Sequence, residues 1–120
     1  FVNYPFWRGG SDTTTTSGIV IVDSSSYERF NYTASMATGV TVQLDNMTGG
    51  RETKVYVRNT NATARTVTFA GSTTTSGHTG VPLSPGNGGA SVSGITLSGS
   101  TGTALVWVGN INGTIVGGLF

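Results

Sequence analysis

GVTVQLDNMTGGRETKVYVRNTNATARTVTFA, residues 39–70, holds the three clearest strand patterns in the chain. Val40, Val42 and Leu44 alternate with Thr41 and Gln43, Val55 and Val57 with Lys54, Tyr56 and Arg58, and Val67 and Phe69 with Thr66 and Thr68. Period-two alternation sends one set of side chains to a core and the other to solvent. The joints at 46–50 (NMTGG) and 59–63 (NTNAT) carry Asn and Gly, which tolerate tight or left-handed backbone. The stretch therefore predicts a three-strand meander with Lys54, Tyr56 and Arg58 on its outer face.

Working outward, the rest of the 120-residue sequence continues in the same manner. GIVIV at 18–22 is an apolar run of strand length, and four apolar residues in succession predict burial on both faces. Residues 27–33 alternate Tyr27, Arg29 and Asn31 against Glu28, Phe30 and Tyr32. After residue 70 come a Thr/Ser/Gly loop with His78, a short VPL segment at 81–83 and strands at 92–97 and 103–108. The GNING loop that follows, residues 109–113, contains Asn112-Gly113, a pair suited to a primed hairpin turn. No helical periodicity appears. About eight short strands predict an all-β fold, an antiparallel β-sandwich or jelly roll over residues 18–120.

Residues 1–17 read differently. FVNYPFW packs four aromatic residues into the first seven, and Pro5 opposes a helix or a central strand. A polar, Gly/Ser/Thr-rich connector follows. Phe1, Tyr4, Phe6, Trp7 and Arg8 are thus expected to form an extended arm that anchors to a partner protein.

Charge is low and unevenly placed. Six basic and five acidic residues give +1, too little for a nucleic-acid or anionic-membrane surface. Residues 66–120 contain no Asp, Glu, Lys or Arg. An uncharged half of a chain suggests surface covered by a partner or by further copies, because dispersed charge normally keeps monomers apart.

Chemistry is scarce. There is no Cys and a single His, and no nucleophile-elbow, phosphate-loop or paired-His motif. Asp45 and Glu52 flank one joint and form the best carboxylate pair for acid–base work, yet Arg51 and Lys54 beside them favour a solvated turn. His78 reads as a solvated loop residue. The reading is therefore of a non-enzyme with no cofactor and no metal site. Carbohydrate binding is the stronger alternative, since sugars stack on aromatic platforms flanked by polar groups. Trp7, Tyr27, Tyr32, Tyr56 and Trp107 are the candidates, with Trp107 expected in the core and Tyr56 facing outward.

VTVQLDNMTGG (40–50), KVYVRN (54–59), RTVTF (65–69), VPL (81–83) and ALVWV (104–108) together resemble the C-terminal β-domain of bacteriophage tail-fibre and related virion proteins. The loop after RTVTF lacks the Trp frequent in such domains, and no Asp precedes the late aromatic residue. The resemblance implies a structural protein at the virion surface, commonly trimeric, either a fibre subunit or a capsid decoration (cement) subunit. Its implied partners are further copies of itself, capsid or tail proteins and, as the alternative, a host surface glycan.

Overall fold

The computed structural model describes residues 9–120. The expected arm residues Phe1, Tyr4, Phe6, Trp7 and Arg8 lie outside the described residues. Eleven strands and no helix are present among the described residues: β1 (Gly9–Asp12), β2 (Gly18–Asp23), β3 (Arg29–Ala34), β4 (Val40–Asp45), β5 (Glu52–Asn59), β6 (Arg65–Gly71), β7 (Thr79–Gly80), β8 (Leu83–Ser84), β9 (Gly94–Leu97), β10 (Gly102–Ile111) and β11 (Thr114–Leu119). The all-β expectation is met. The eight anticipated strands are joined by β1, β7 and β8, which have four, two and two residues. β1 falls within the stretch expected to be a connector.

The topology corrects the meander. The first sheet runs β1-β3-β5-β10-β11-β8, and the second runs β2-β4-β6-β7 with β9 also on β6. Up to β6 the chain thus alternates between layers, odd strands in one sheet and even strands in the other. The pairs β1–β3, β3–β5, β2–β4 and β4–β6 are all parallel. The three strands of residues 39–70 do not form successive hairpins: β4 and β6 are parallel neighbours, and β5 lies in the opposite sheet. The remaining ladders, β5–β10, β10–β11, β6–β7 and β6–β9, are antiparallel, and β11–β8 is parallel. Both sheets are mixed, so the antiparallel sandwich or jelly roll is replaced by a two-layer parallel coil completed by antiparallel strands.

The joints explain this connectivity. Asn46 and Gly50 adopt φ of 56° and 79°, as their residue types allowed. They do not fold β4 back on β5. Met47 is fully buried between them and carries the chain from one sheet to the other. Asn110 holds the crossing: its side-chain NH₂ donates to the Met47 carbonyl at 2.9 Å. At the β10–β11 hairpin, Asn112 and Gly113 have φ of 53° and 86°, the primed turn that their sequence predicts.

The core lies between the layers. Val20, Val22, Val40, Val42, Leu44, Val67 and Phe69 descend from the second sheet onto Phe30, Tyr32, Val55, Val57, Val106 and Val108 of the first. The faces inferred for 40–44, 55–57 and 67–69 are the observed ones. β2 departs from expectation: Val20 and Val22 are buried, but Ile19 and Ile21 are 52% and 61% exposed. It is an outer strand of a two-layer fold, so only one of its faces meets the core.

Tyr32 is fully buried, and its hydroxyl donates to the Thr15 carbonyl at 2.6 Å. Burial, with the Asp12 carboxylate adding to it, pushes the phenol up to about 12. A folded-state value above the unfolded value of 10 means that this contribution is complete below pH 10 and is lost as pH climbs towards 12. We expect absorbance titration to show Tyr32 ionising well above pH 10, together with unfolding. Tyr32→Phe should flatten the alkaline end of the stability curve and cost about 1 kcal/mol at neutral pH. A normal titration of this residue in the folded protein would refute the assignment.

Candidate functional site

Alternation on β5 places Lys54, Tyr56 and Arg58 outward, with Val55 and Val57 fully buried beneath. Parallel pairing to β3 and antiparallel pairing to β10 set their neighbours. One cross-strand row reads Arg29, Lys54, Trp107, Gly118, and the next reads Asn31, Tyr56, Leu105. Phe120 joins the second row, its backbone N–H donating to the Leu105 carbonyl at 3.1 Å. The expected contact residues therefore lie together on the outer face of the first sheet, among partners drawn from three distant segments.

Two adjoining depressions open on this face and share Arg29 and Lys54. One, of about 410 Å³, is polar and includes Ser24, Glu28, Arg51 and Glu52. The other, of about 450 Å³, is largely apolar and includes Phe30, Asn31, Tyr56, Leu105 and Phe120. Lys54 stands at their junction, its ammonium 5.6 Å from the centre of the Phe120 ring, within cation–π range. Arg51 is held in place: Nε donates to Thr48 Oγ1 at 2.9 Å and Nη1 to the Ser24 carbonyl at 3.3 Å. Ser24 is 3% exposed, and among the described residues its hydroxyl has no hydrogen-bond partner. A buried hydroxyl in that state costs about 1–3 kcal/mol relative to a satisfied one.

The aromatic candidates separate cleanly. Tyr32 is core. Tyr27 packs against Phe30 with ring centres 5.6 Å apart and lies under Gly10, where a methyl group would stand 2.7 Å from the Tyr27 ring. Trp107 is not in the core as expected. Val106 and Val108 point inward, so Trp107 points outward and lies against Gly118, where a methyl group would approach Nε1 to 2.6 Å. The alternation LVWV already carried this signal, because Val106 and Val108 share one parity and Leu105 and Trp107 the other.

The carboxylate pair is not brought together. Asp45 ends β4 in the second sheet, whereas Glu52 opens β5 in the first. Asp45 accepts instead from His78, whose Nε2 lies 2.5 Å from Asp45 Oδ1. The His78 side chain is 9% exposed, not the solvated loop residue expected. Neighbouring Asp23 is bound by the Ser25 hydroxyl and by the Asn46 amide, and these bonds hold its carboxyl down at about 2. Asp23 and Asp45 are register partners on parallel strands, and the two sets of hydrogen bonds spread their charge. Among the described residues no three His, Cys, Asp or Glu side chains gather as metal ligands.

The outer face of the second sheet contrasts with this groove. Its central rows are Ile19, Thr41, Thr68 and Ile21, Gln43, Ala70, flanked by Thr66 and Thr96. Hydroxyls pair across the strands, Thr41 with Thr68 at 2.9 Å and Thr66 with Thr96 at 3.2 Å. The acids of this sheet, Asp23 and Asp45, stand beyond these rows at the ends of β2 and β4, while uncharged β10 and β11 sit beside charged β5 in the first sheet. Comparison with protein-family models, with curated proteins and with solved structures returns no match.

Proposed function

We propose that this chain is a non-enzymatic structural β-domain of a bacteriophage virion, a capsid decoration (cement) or fibre subunit at the particle surface. Residues 1–17 dock it to capsid or tail protein, and further copies, as a trimer, cover the second sheet. The observation that carries the assembly reading is the uncharged centre of the second sheet's outer face, edged by exposed Ile19 and Ile21. Among the described residues no strand pairs with the far side of β2. β2 has no Pro and its one charged residue, Asp23, stands at its end, and an apolar edge strand of this kind is a template for association. Light scattering of the purified chain at micromolar concentration should give a trimer, and Ile21→Lys should give a monomer with an unchanged circular dichroism spectrum. Deleting residues 1–8 should abolish incorporation into particles. A wild-type monomer, or undiminished incorporation of the shortened chain, would refute the corresponding half of the proposal.

A second reading, recognition of a host glycan, is favoured by the first-sheet groove, where an aromatic platform adjoins hydrogen-bonding and charged side chains. In this reading the same subunit displays Lys54, Tyr56 and Arg58 outward while the second sheet is covered.

A further inference from the structure

We infer that the groove on the first sheet takes an anionic polysaccharide, with a sugar ring on the Tyr56 platform and its carboxylate or phosphate in the polar depression beside it. The inference rests on the glycan reading of this face and adds the class of sugar.

The two depressions differ in chemistry and meet at Lys54. On the apolar side Tyr56, Leu105 and Phe120 present ring and aliphatic surface, with Leu105 and Phe120 41% and 68% exposed. Such surface suits the C–H face of a sugar. On the polar side Arg29, Arg51 and Lys54 supply three cations against Glu28 and Glu52. That balance favours a ligand carrying negative charge, and the two carboxylates limit how much charge is accepted.

Spacing connects the two halves. Lys54 and Tyr56 are two residues apart on one strand, so their side chains emerge about 6.8 Å apart on the same face. An anionic substituent on a ring stacked over Tyr56 therefore falls within reach of the Lys54 ammonium. Beyond Lys54 the polar depression has a prepared wall. Thr48 and the Ser24 carbonyl fix the Arg51 guanidinium, which keeps further N–H donors for a ligand. A guanidinium held in this way loses little side-chain freedom when it binds a carboxylate or phosphate oxygen. Ser24 lines the same depression, and its buried hydroxyl has no hydrogen-bond partner among the described residues.

The test is calorimetric titration of the full chain with three oligosaccharides of matched length: one bearing uronic acids, its carboxyl-reduced neutral counterpart, and one bearing phosphate. At least one anionic form should bind about ten-fold or more tightly than the neutral form, and the preference should shrink with added salt. Whichever anionic form prevails identifies the anion. Lys54→Gln and Arg51→Gln should each erase most of that preference, whereas Tyr56→Ala should weaken all binding; melting curves monitor the fold. Equal affinity for neutral and anionic forms, or an unchanged preference in both charge variants, would overturn the inference while the glycan reading stands. Absence of any glycan binding would overturn both and leave the assembly proposal to the particle-incorporation experiment.

Discussion

Gly99→Ala should prevent folding, or lower stability by more than about 4 kcal/mol, a loss reserved for severe steric or packing faults. A methyl group at Gly99 would overlap the Ala62 carbonyl oxygen and stand 2.5 Å from its carbon. Both atoms are backbone, so no side-chain rotation relieves the overlap. The turn at 98–102 is docked on the 59–63 joint through main-chain contact, with Ser100 N–H donating to the Asn61 carbonyl at 2.6 Å. Fully buried Asn59 completes the junction by donating to the carbonyls of Thr63, at 2.9 Å, and Ser98, at 3.4 Å. Displacing this turn would pull β9 and β10 from the strands that they pair with. Gly49→Ala is the control, because Gly49 has open space around it and no positive φ. It should stay within about 0.5 kcal/mol of the wild type. Urea denaturation of the two variants decides the matter: a Gly99→Ala midpoint near that of Gly49→Ala would show that the 98–102 turn can lift off without consequence.

Phe69→Ala should cost about 3–5 kcal/mol, the range for truncating a buried aromatic side chain. Phe69 is 1% exposed and sits on β6, the central strand that pairs with β4, β7 and β9. Its ring is among the largest fully buried side chains, and the valines around it are too short to fill the space left behind. Phe69→Leu keeps most of the volume and should lose less than about 1.5 kcal/mol. The denaturation midpoint should fall for Phe69→Ala with an unchanged slope, since the same surface is exposed on unfolding. Equal losses for Leu and Ala would mean that shape at this site matters more than volume.

Which residues face the core was legible wherever alternation was unbroken. Val42, Val55, Val57 and Phe69 are inward as their period requires. Which strand lies beside which was not legible, because a period of two is the same in parallel and antiparallel ladders. The 46–50 joint has a hairpin's composition, yet buried Met47 makes it a crossing between layers. β7 and β8 are too short to show a period, and β1 is a glycine-rich segment whose pairing comes from β3. The candidate site divides similarly. Lys54, Tyr56 and Arg58 share a face by parity alone, whereas Arg51, Leu105 and Phe120 reach it only through the β5–β10 ladder and the chain's end. His78 carried no signal at all, since its partner Asp45 lies 33 positions earlier and meets it only in the folded chain.

The alternation of β1 to β6 between layers has a kinetic consequence. Every parallel ladder among β1 to β6 joins strands separated by a complete excursion into the other sheet, as in Gly9 with Arg29 or Val40 with Val67. Neither layer can mature as an independent intermediate, because extending one requires the chain to have passed through the other. Such non-local closure slows collapse to the native state, typically into the millisecond-to-second range for β topologies. The hairpin of β10 and β11, joined by the tight Asn112-Gly113 turn, is the one long pairing that can form early, and it offers an edge on which β5 and then the wound segment can be laid down.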